Sequence, residues 1–222
     1  MNNIRLFYLR ISARCILLHA RMLGYSFRQA KSEADRGLAG KLRYRIYSQE
    51  GYINPLDHPR EEMVDKYAPF SEDFVAFFRS RPVGTIRITK DSEHGFPTEN
   101  LFNIGRLDER QSVLEIGRLV IDPGYRQKKK GNRLIMFGLA YLVFLHSLRS
   151  DIQHWVVNMP EGLARSFEQF GACFEQLHQD EPTESHIKAR SIIAGYFKRY
   201  DLLPYKIDIS AVVRKGRTKI TK

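Results

Sequence analysis

The spacing of apolar and polar positions along this chain of 222 residues changes several times. Residues 73–78 and 83–89 are rich in β-branched and aromatic residues, and the short polar segment 79–82 between them is typical of a β-hairpin. Residues 113–121 predict a third strand. Residues 134–148 are apolar on every side over about four turns, so they predict a buried helix that is too short to span a bilayer. We expect the hydrophobic core to surround this helix.

Shorter patterns on either side predict further elements. Asn158 and Pro160 predict the start of a helix, with asparagine as its cap and proline in its first turn, and Gly171 predicts its end. The other predicted elements are a helix over 38–48, a strand over 151–158, a short strand over 172–177 and an amphipathic segment over 189–200. No repeat or Ser/Gly/Pro-rich linker divides them, so we expect a single domain.

The first 31 residues are basic and amphipathic, with six Arg and Lys residues before the first acid, Glu33. Arginines interrupt the apolar run too often for a signal peptide, and no run is long enough to span a bilayer. Two interpretations stay open: a helix packed on its own domain, or a basic helix on a membrane surface. We therefore expect a cytoplasmic protein, with peripheral membrane contact as the alternative.

The composition narrows the choice of partners. A formal net charge of +11 and a pI near 9.7 favour anionic partners such as nucleic acid, lipid headgroups, phosphorylated cofactors or an acidic carrier protein. The basic residues show little aromatic interleaving and no helix-turn-helix, zinc or RNA-binding pattern, which disfavours nucleic acid. Cys15 and Cys173 form no CxxC spacing, and His146 and His154 have no ligand spacing, so we predict neither a disulfide framework nor a metal.

The segment from Glu115 to Ile135 runs from a strand through a Pro-Gly turn into five basic residues and then the apolar helix. A strand that turns into a helix leaves several backbone N–H groups unpaired at one point, where the helix dipole adds positive potential. The complement of such a point is a phosphate or pyrophosphate, although a solvated basic face is the other interpretation. The candidate cofactor-binding residues are Ile121, Arg126, Lys128, Lys129, Lys130, Gly131, Asn132 and Arg133.

The sequence "RLVIDPGYRQKKKGNRLI" resembles the central motif of the GNAT acyltransferase superfamily, in which a strand ending in V/I-x-P leads to an R/Q-x-x-G-x-G/A phosphate turn and a helix. One of the two small residues of that turn is missing here. Counted from Arg126 the pair is Lys129 and Gly131, and counted from Lys128 it is Gly131 and Arg133. The single phosphate of a carrier-bound phosphopantetheine would require less of this turn than the pyrophosphate of coenzyme A.

Four further segments, "LRYRIYSQEGY", "EEMVDKYAPFSEDFVAF", "VGTIRI" and "EIGRLVI", resemble in this order the motifs of N-acyl amino acid synthases and autoinducer (acyl-homoserine-lactone) synthases. The resemblance implies an α/β (α+β) fold, with a GNAT-like mixed central sheet, splayed central strands and flanking helices. It also implies transfer of a long acyl chain from an acyl carrier protein to a small amine. It divides the chain into a basic N-terminal helical extension (1–37), a core (38–178) and a C-terminal segment with a basic tail (179–222).

Glu115 is the candidate base, acting directly or through water, because it matches the glutamate of the E-x-x-R motif; Arg118 is its candidate catalytic partner. In strict alternation Glu115 and Arg118 point to opposite faces of a strand. Either a bulge at Gly117 brings them together, or Glu115 is a strand carboxylate paired with some other base.

Arg87 and Arg118 interrupt apolar strands, where an unpaired charge is costly, so each needs an anionic partner. That partner is either the carboxylate of an amino-acid substrate or an internal acid such as Asp65 or Glu115. The resemblance places Arg43 and Tyr47 in a segment that folds over the acyl site, while an exposed arginine on a helix is the alternative. The candidate substrate-binding residues are therefore Arg43, Tyr47, Asp65 and Arg87.

Three functions follow from these patterns. The first is an N-acyltransferase that uses an acyl-carrier-protein or acyl-CoA thioester, with the basic surface docking an acidic carrier and no metal involved. The second is an acetyl-CoA-dependent acetyltransferase, which would have a short closed pocket instead of an apolar tunnel between the splayed strands. The third is a basic nucleic-acid-binding domain.

Overall fold

In the computed structural model, which describes residues 17–126, 129–168 and 173–209 except for the side chains of 129–133 and 166, seven strands form one sheet. The strands are β1 (Tyr25–Gln29), β2 (Ser71–Phe78), β3 (Arg81–Thr89), β4 (Val113–Ile121), β5 (His154–Pro160), β6 (Phe174–Gln176) and β7 (Leu202–Asp208). The helices are α1 (Glu33–Gln49), α2 (Pro97–Leu101), α3 (Pro123–Arg126), α4 (Lys129–Arg149), α5 (Glu161–Glu168), α6 (Glu184–Ile192) and α7 (Ala194–Arg199).

The sheet order is β1-β2-β3-β4-β5-β7-β6. Strands β4 and β5 run parallel, and the other neighbouring pairs run antiparallel. The parallel pairing extends only from Val113–His154 to Ile116–Val157. Beyond that point β4 continues to Ile121, while β5 pairs with β7 as far as Pro160. The two central strands therefore part, which confirms the predicted mixed sheet with splayed central strands.

Helix α4 builds the larger core on one face of the sheet. Its buried residues Ile135, Leu139 and Val143 pack among apolar side chains of β2, β3 and β4. Gly138 permits this close packing, because a Cβ there would lie 2.4 Å from the ring of Phe27 in β1. The helix is buried only along this stripe, and most of its other described residues are half-buried. The predicted burial on every side is wrong, since the sheet covers only one side of the helix.

Helix α1 covers the opposite face. Ser32 caps it by accepting a hydrogen bond from the Asp35 N–H, and Ala39 packs with Val75 of β2 in a small apolar cluster. Leu42 and Ile46 form a second small cluster with Val120 of β4. The apolar patches on this face are small, so polar side chains are buried between them and build the site described below.

Several predicted elements are confirmed and others change. The third strand has the predicted bounds, and the hairpin forms with only residues 79–80 between its strands. The predicted helix start at Asn158 is wrong, because pairing with β7 extends β5 to Pro160 and α5 begins at Glu161. The predicted helix end at Gly171 lies outside the described residues.

Strands β1 and β7 were not predicted. Residues 17–22 of the expected helical extension are helical, but β1 follows them and pairs with β2 at the sheet edge. Strand β7, from the expected C-terminal segment, enters the sheet between β5 and β6. Among the described residues, no helix has the length and apolar character needed to cross a membrane.

Candidate active site

A bulge in β4 brings the two candidate catalytic residues to the same face. Strand β3 advances two residues from Thr85 to Arg87, while β4 advances three between their partners Val120 and Gly117, so β4 contains one extra residue. Arg118 lies in this bulge with a φ of 54°, a left-handed conformation that is uncommon outside glycine. The side chain of Arg118 thereby joins that of Glu115 on the α1 side, which confirms the bulge alternative.

Three arginines and two aspartates form a continuous charge ladder across this face. Arg43 of α1 donates to both oxygens of Asp73, at 2.6 and 3.3 Å. Arg87 donates through Nε to Asp73 at 3.2 Å and through Nη1 to both oxygens of Asp65 at 3.0 and 3.1 Å. Arg118 Nη2 donates to Asp65 Oδ2 at 3.1 Å. The ladder carries three positive and two negative charges, so it has an excess of one positive charge.

The ladder is buried at one end and accessible at the other. The Arg43 side chain is 2% exposed, whereas those of Arg118 and Asp65 are 26% and 25% exposed. Burial opposes ionisation of Asp65, but the Arg118 and Arg87 guanidinium groups outweigh it and hold the pKa of Asp65 below its usual value. The interpretation of Arg43 as an exposed helix arginine is wrong, and only the Asp65–Arg118 end lies where a ligand could reach it.

Glu115 is held beside this ladder by the first turn of α2. The backbone N–H of Thr98 donates to Glu115 Oε2 at 2.7 Å. The Thr98 hydroxyl lies within reach of both Glu115 and Asn158 Oδ1, the latter 3.2 Å away. Burial raises the pKa of Glu115 to about 8, although the Thr98 hydrogen bonds and the Arg118 charge oppose the rise. A carboxyl with this pKa can take up a proton near neutral pH, as a general base must.

The position of α2 is itself secured by a second charge cluster. Glu99 accepts from the backbone N–H of Phe96 at 2.7 Å and from Arg110 Nη2 at 2.9 Å. Arg110 also bonds Asp91 and stacks over the Phe96 ring at 5.0 Å. These contacts fix the helical turn whose N–H binds Glu115.

A cluster of aromatic side chains joins the end of α1 to the C-terminal segment. The Tyr47 hydroxyl lies close to Arg118, and the Tyr47 ring lies 5.7 Å from that of Tyr52. The Tyr52 ring in turn lies 4.9 Å from that of Tyr196 in α7. Gly195 permits this contact, since a Cβ there would lie 1.9 Å from the carbonyl oxygen of Gly51. The C-terminal segment therefore borders the site, which the sequence alone did not indicate.

The turn after β4 has its own set of charges. Asp122 accepts from the Gly124 N–H at 3.0 Å, from Arg45 at 2.7 Å and from Arg81 at 3.1 Å. Arg126 donates through Nε to the carbonyl of Ile121 at 2.8 Å and through Nη1 to Glu50 Oε1 at 2.6 Å. The other Glu50 oxygen accepts from Arg199 of α7. Arg126 is therefore already engaged by an internal carboxylate.

Comparison with known proteins shows the family to which this chain belongs. The family profile of the N-acyl amino acid synthase FeeM matches residues 38–190. The chain belongs to the N-acyl amino acid synthase family. No curated protein sequence matches it significantly. The family consists of acyltransferases, so the prediction of an acyltransferase is confirmed.

Solved structures of such synthases share the fold. FeeM, an N-acyl amino acid synthase from uncultured soil microbes, is 14% identical over 86% of this chain and 94% of FeeM, with a TM-score of 0.59. The CoA-dependent acyl-homoserine lactone synthase BjaI, solved with MTA, is 16% identical over 84% of each chain, with a TM-score of 0.62. The AHL synthase LasI is 13% identical over 83% of this chain and 90% of LasI, with a TM-score of 0.56. These likenesses, together with that to a proposed N-acetyltransferase from Lactobacillus plantarum, which is 14% identical with a TM-score of 0.53, confirm the predicted fold class.

The predicted site residues of this synthase-family chain fall into three groups. The first group meets on the α1 face of the sheet and consists of Arg43, Tyr47, Asp65, Arg87, Glu115 and Arg118. The second lies at the end of β4 and consists of Ile121 and Arg126. The third group lies outside the described part of the chain. It consists of Lys128 and the side chains of Lys129, Lys130, Gly131, Asn132 and Arg133.

Three residues of the site were missed from the sequence: Asp73, Thr98 and Asn158. Asp73 opens the apolar run of β2, and a lone acid in that place could have been recognised as a partner for the strand arginines. Thr98 and Asn158 carry no comparable signal, because only the tertiary fold brings Thr98 to Glu115 and Asn158 to the Thr98 hydroxyl.

A cavity of about 860 Å³ lies at the opposite end of β4 from the phosphate turn. It is lined by Asp91, Arg110, Val113, Leu114 and Ile152 among others, and its walls are largely polar or charged. It therefore does not match the apolar tunnel expected between the splayed strands, and we assign it no part in the site. In the described part of the chain, no group of three His, Cys, Asp or Glu side chains could hold a metal ion.

Proposed function

We propose that this chain transfers a long acyl chain from a phosphopantetheine thioester, borne by an acyl carrier protein or coenzyme A, to the amine of an amino acid or similar small molecule. The observation that carries the proposal is the buried Glu115 carboxyl, with a pKa of about 8, beside the half-exposed end of the Asp65–Arg118 ladder. A base and a carboxylate-binding group side by side suit an amino-acid acceptor.

In the proposed reaction the neutral amine attacks the thioester carbonyl directly. The new C–N bond forms as the C–S bond breaks, the amine proton passes to Glu115, and the thiolate takes up a proton from solvent. Beyond Ile116, β4 has no β5 partner, and its N–H groups on that side are suited to stabilise the oxyanion. No serine or cysteine nucleophile is needed.

The accessible end of the ladder supports a carboxylate-bearing acceptor. Asp65 is shared by Arg87 and Arg118, and the ladder as a whole has one positive charge more than it can neutralise. While Glu115 is protonated, as it is once it has taken the amine proton, an acceptor carboxylate would balance that charge. The same excess would give no advantage to an amine without a carboxylate, so the ladder favours amino acids.

The proposed thioester donor is inferred from the turn after β4 and from the net charge of the chain. The formal charge of +11 supports docking of an acidic carrier protein in the cytoplasm, and the basic turn supports binding of the phosphopantetheine phosphate. BjaI is described as CoA-dependent, so coenzyme A is the other donor to be tested.

The test is a purified-protein assay with decanoyl-CoA, decanoyl-carrier protein and acetyl-CoA as separate donors and the twenty standard amino acids as acceptors. Mass spectrometry would identify the products. We expect an N-decanoyl amino acid with wild type, a loss of at least about a hundredfold with Glu115→Gln, and no change with Glu175→Gln, an exposed strand glutamate.

Each arm of this assay has a distinct meaning. Products with the carrier-bound donor alone would support carrier-protein dependence, and products with decanoyl-CoA alone would support coenzyme A dependence. Products with acetyl-CoA alone would overturn long-chain transfer in favour of an acetyltransferase. Equal activity of wild type and Glu115→Gln would overturn the role of Glu115 as base.

A further inference from the structure

Tyr67 has a buried hydroxyl that none of the described residues hydrogen-bonds. The residue is 5% exposed, and its oxygen is fully shielded from solvent. A buried hydroxyl without a partner costs free energy, so its retention in a densely paired polar region calls for an explanation. Asp65, two residues earlier, belongs to the charge ladder, but the Tyr67 hydroxyl has no role in the proposed reaction so far.

Two hydrogen bonds fix the backbone of Tyr67 between Asp65 and Ser71. Its N–H donates to Asp65 Oδ1 at 3.1 Å, and its carbonyl accepts from Ser71 Oγ at 2.7 Å. Ser71 Oγ lies 2.9 Å from Thr89 Oγ1, and Thr89 is the cross-strand partner of Glu115. Tyr67 is therefore linked through Asp65 to the charge ladder, and through Ser71 and Thr89 to the strand position opposite Glu115.

The side chain of Tyr67 lies within range of the charges of the same groups. Burial first, and then the charges of Glu115, Asp65 and Glu99, raise the pKa of Tyr67, while Arg118 opposes the rise. The phenol therefore keeps its proton and acts as a hydrogen-bond donor. Lys66 lies over its ring at 5.1 Å, and the His94 ring meets it edge-on at 6.2 Å.

We infer that the Tyr67 hydroxyl donates a hydrogen bond to the carboxylate of the amino-acid acceptor and thereby selects amino acids over amines that lack a carboxylate. This inference rests on the proposed function. Glu115 must lie beside the amine to take its proton, so the rest of a small acceptor must lie among the neighbours of Glu115, which include Tyr67 and Arg118.

The chemistry of the acceptor decides which of its groups the phenol contacts. The lone pair of the amine is committed to attack on the thioester, so it cannot accept from Tyr67 in the reactive geometry. The carboxylate is then the hydrogen-bond acceptor that an amino acid offers, and Arg118 beside Asp65 supplies the complementary charge. The donor phosphate is expected at the far end of β4, after Ile121, and does not compete for this place.

The test compares Tyr67→Phe with Tyr205→Phe. Tyr205 is a matched control, because its hydroxyl is also buried and without a partner among the described residues, but it lies in β7 within a separate apolar cluster. The acceptors are the standard amino acid that wild type acylates fastest and the C-terminal amide of that amino acid. KM and kcat are measured for both acceptors at saturating donor, and thermal unfolding checks that each variant is folded.

We expect Tyr67→Phe to raise KM for the amino acid about tenfold or more while leaving KM for the amide and for the donor unchanged. Tyr205→Phe should change none of these values. An unchanged preference for the amino acid in Tyr67→Phe, or an equal loss of kcat with both acceptors, would overturn the inference while leaving the proposed function intact. A wild type that acylates no amino acid with any donor would remove the proposed function, and this inference with it.

Discussion

Glu115 and Arg118 lie on the same face of β4, although residues three apart in a regular strand point to opposite faces. The extra residue of the bulge and the left-handed φ of Arg118 produce this arrangement. A buried carboxyl that is to accept a proton and a partly exposed guanidinium that is to hold an anion thus share one face of the strand. The predictions below test what depends on this surface.

The first prediction concerns the pH dependence of acyl transfer. Because burial raises the pKa of Glu115 to about 8, the carboxyl is mostly protonated at pH 7 and becomes an effective base as the pH rises. We expect kcat/KM to rise between about pH 7 and 9 with a midpoint near 8. The residual rate of Glu115→Gln should lack the limb due to Glu115 and should rise only with deprotonation of the amine acceptor, which must be neutral to attack. A midpoint near 4.5, the ordinary value for glutamate, would contradict the prediction.

The second prediction concerns Thr98 as a positioning residue for Glu115. The Thr98 hydroxyl close to Glu115 lowers the pKa of that carboxyl, so Thr98→Val should raise that pKa and move the limb to higher pH. The rate at the high-pH plateau should fall much less than the rate at pH 7. Thr85→Val is the matched control, since the Thr85 hydroxyl is buried without a partner among the described residues. An equal shift in both variants would show that the effect does not depend on contact with Glu115.

The third prediction concerns the buried end of the charge ladder. Arg43→Ala would leave Asp73 buried with only Arg87 as a charged partner, because Arg43 donates to both its oxygens. We expect a loss of about 3–5 kcal/mol in the free energy of unfolding, measured by urea denaturation at pH 7. Arg28→Ala, which removes an exposed ion pair with Asp35, should change the urea midpoint little. A similar midpoint for both variants would contradict the structural role of the ladder.

The fourth prediction concerns the donor. Glu50 engages Arg126 beside the phosphate turn and Arg199 in α7. Glu50→Gln should free Arg126 for the donor phosphate and remove a nearby negative charge, so KM for the donor should fall several-fold at low salt and depend more strongly on salt. Arg199→Ala keeps the Glu50–Arg126 pair and should leave donor KM unchanged. A donor KM that is the same in Glu50→Gln and wild type would show that Arg126 takes no part in donor binding.

The strands β2, β3 and β4 and the helix α4 could be predicted because their information is local. Runs of β-branched and aromatic residues, the polar break over 79–82 and a long apolar stretch each depend on residues adjacent in the chain. The Glu115 and Arg118 candidates came from a short motif inside one strand. The charged residues Arg87 and Arg118 could be recognised as needing partners, since an unpaired charge in an apolar strand is costly.

The tertiary structure decided which partners they found. Arg118 meets Asp65 from a position 53 residues away, and Thr98 reaches Glu115 from the short helix α2, 17 residues before it. Strand β7 lies in a C-terminal segment for which the sequence predicted no strand. Its pairing with β5 also makes Asn158 part of a strand, where the sequence predicted a helix cap. Local periodicity indicates which residues prefer to be buried or extended. Many pairings of distant segments satisfy those preferences, and only the tertiary structure selects one of them. In this protein the selected pairing brings the residues of the site together.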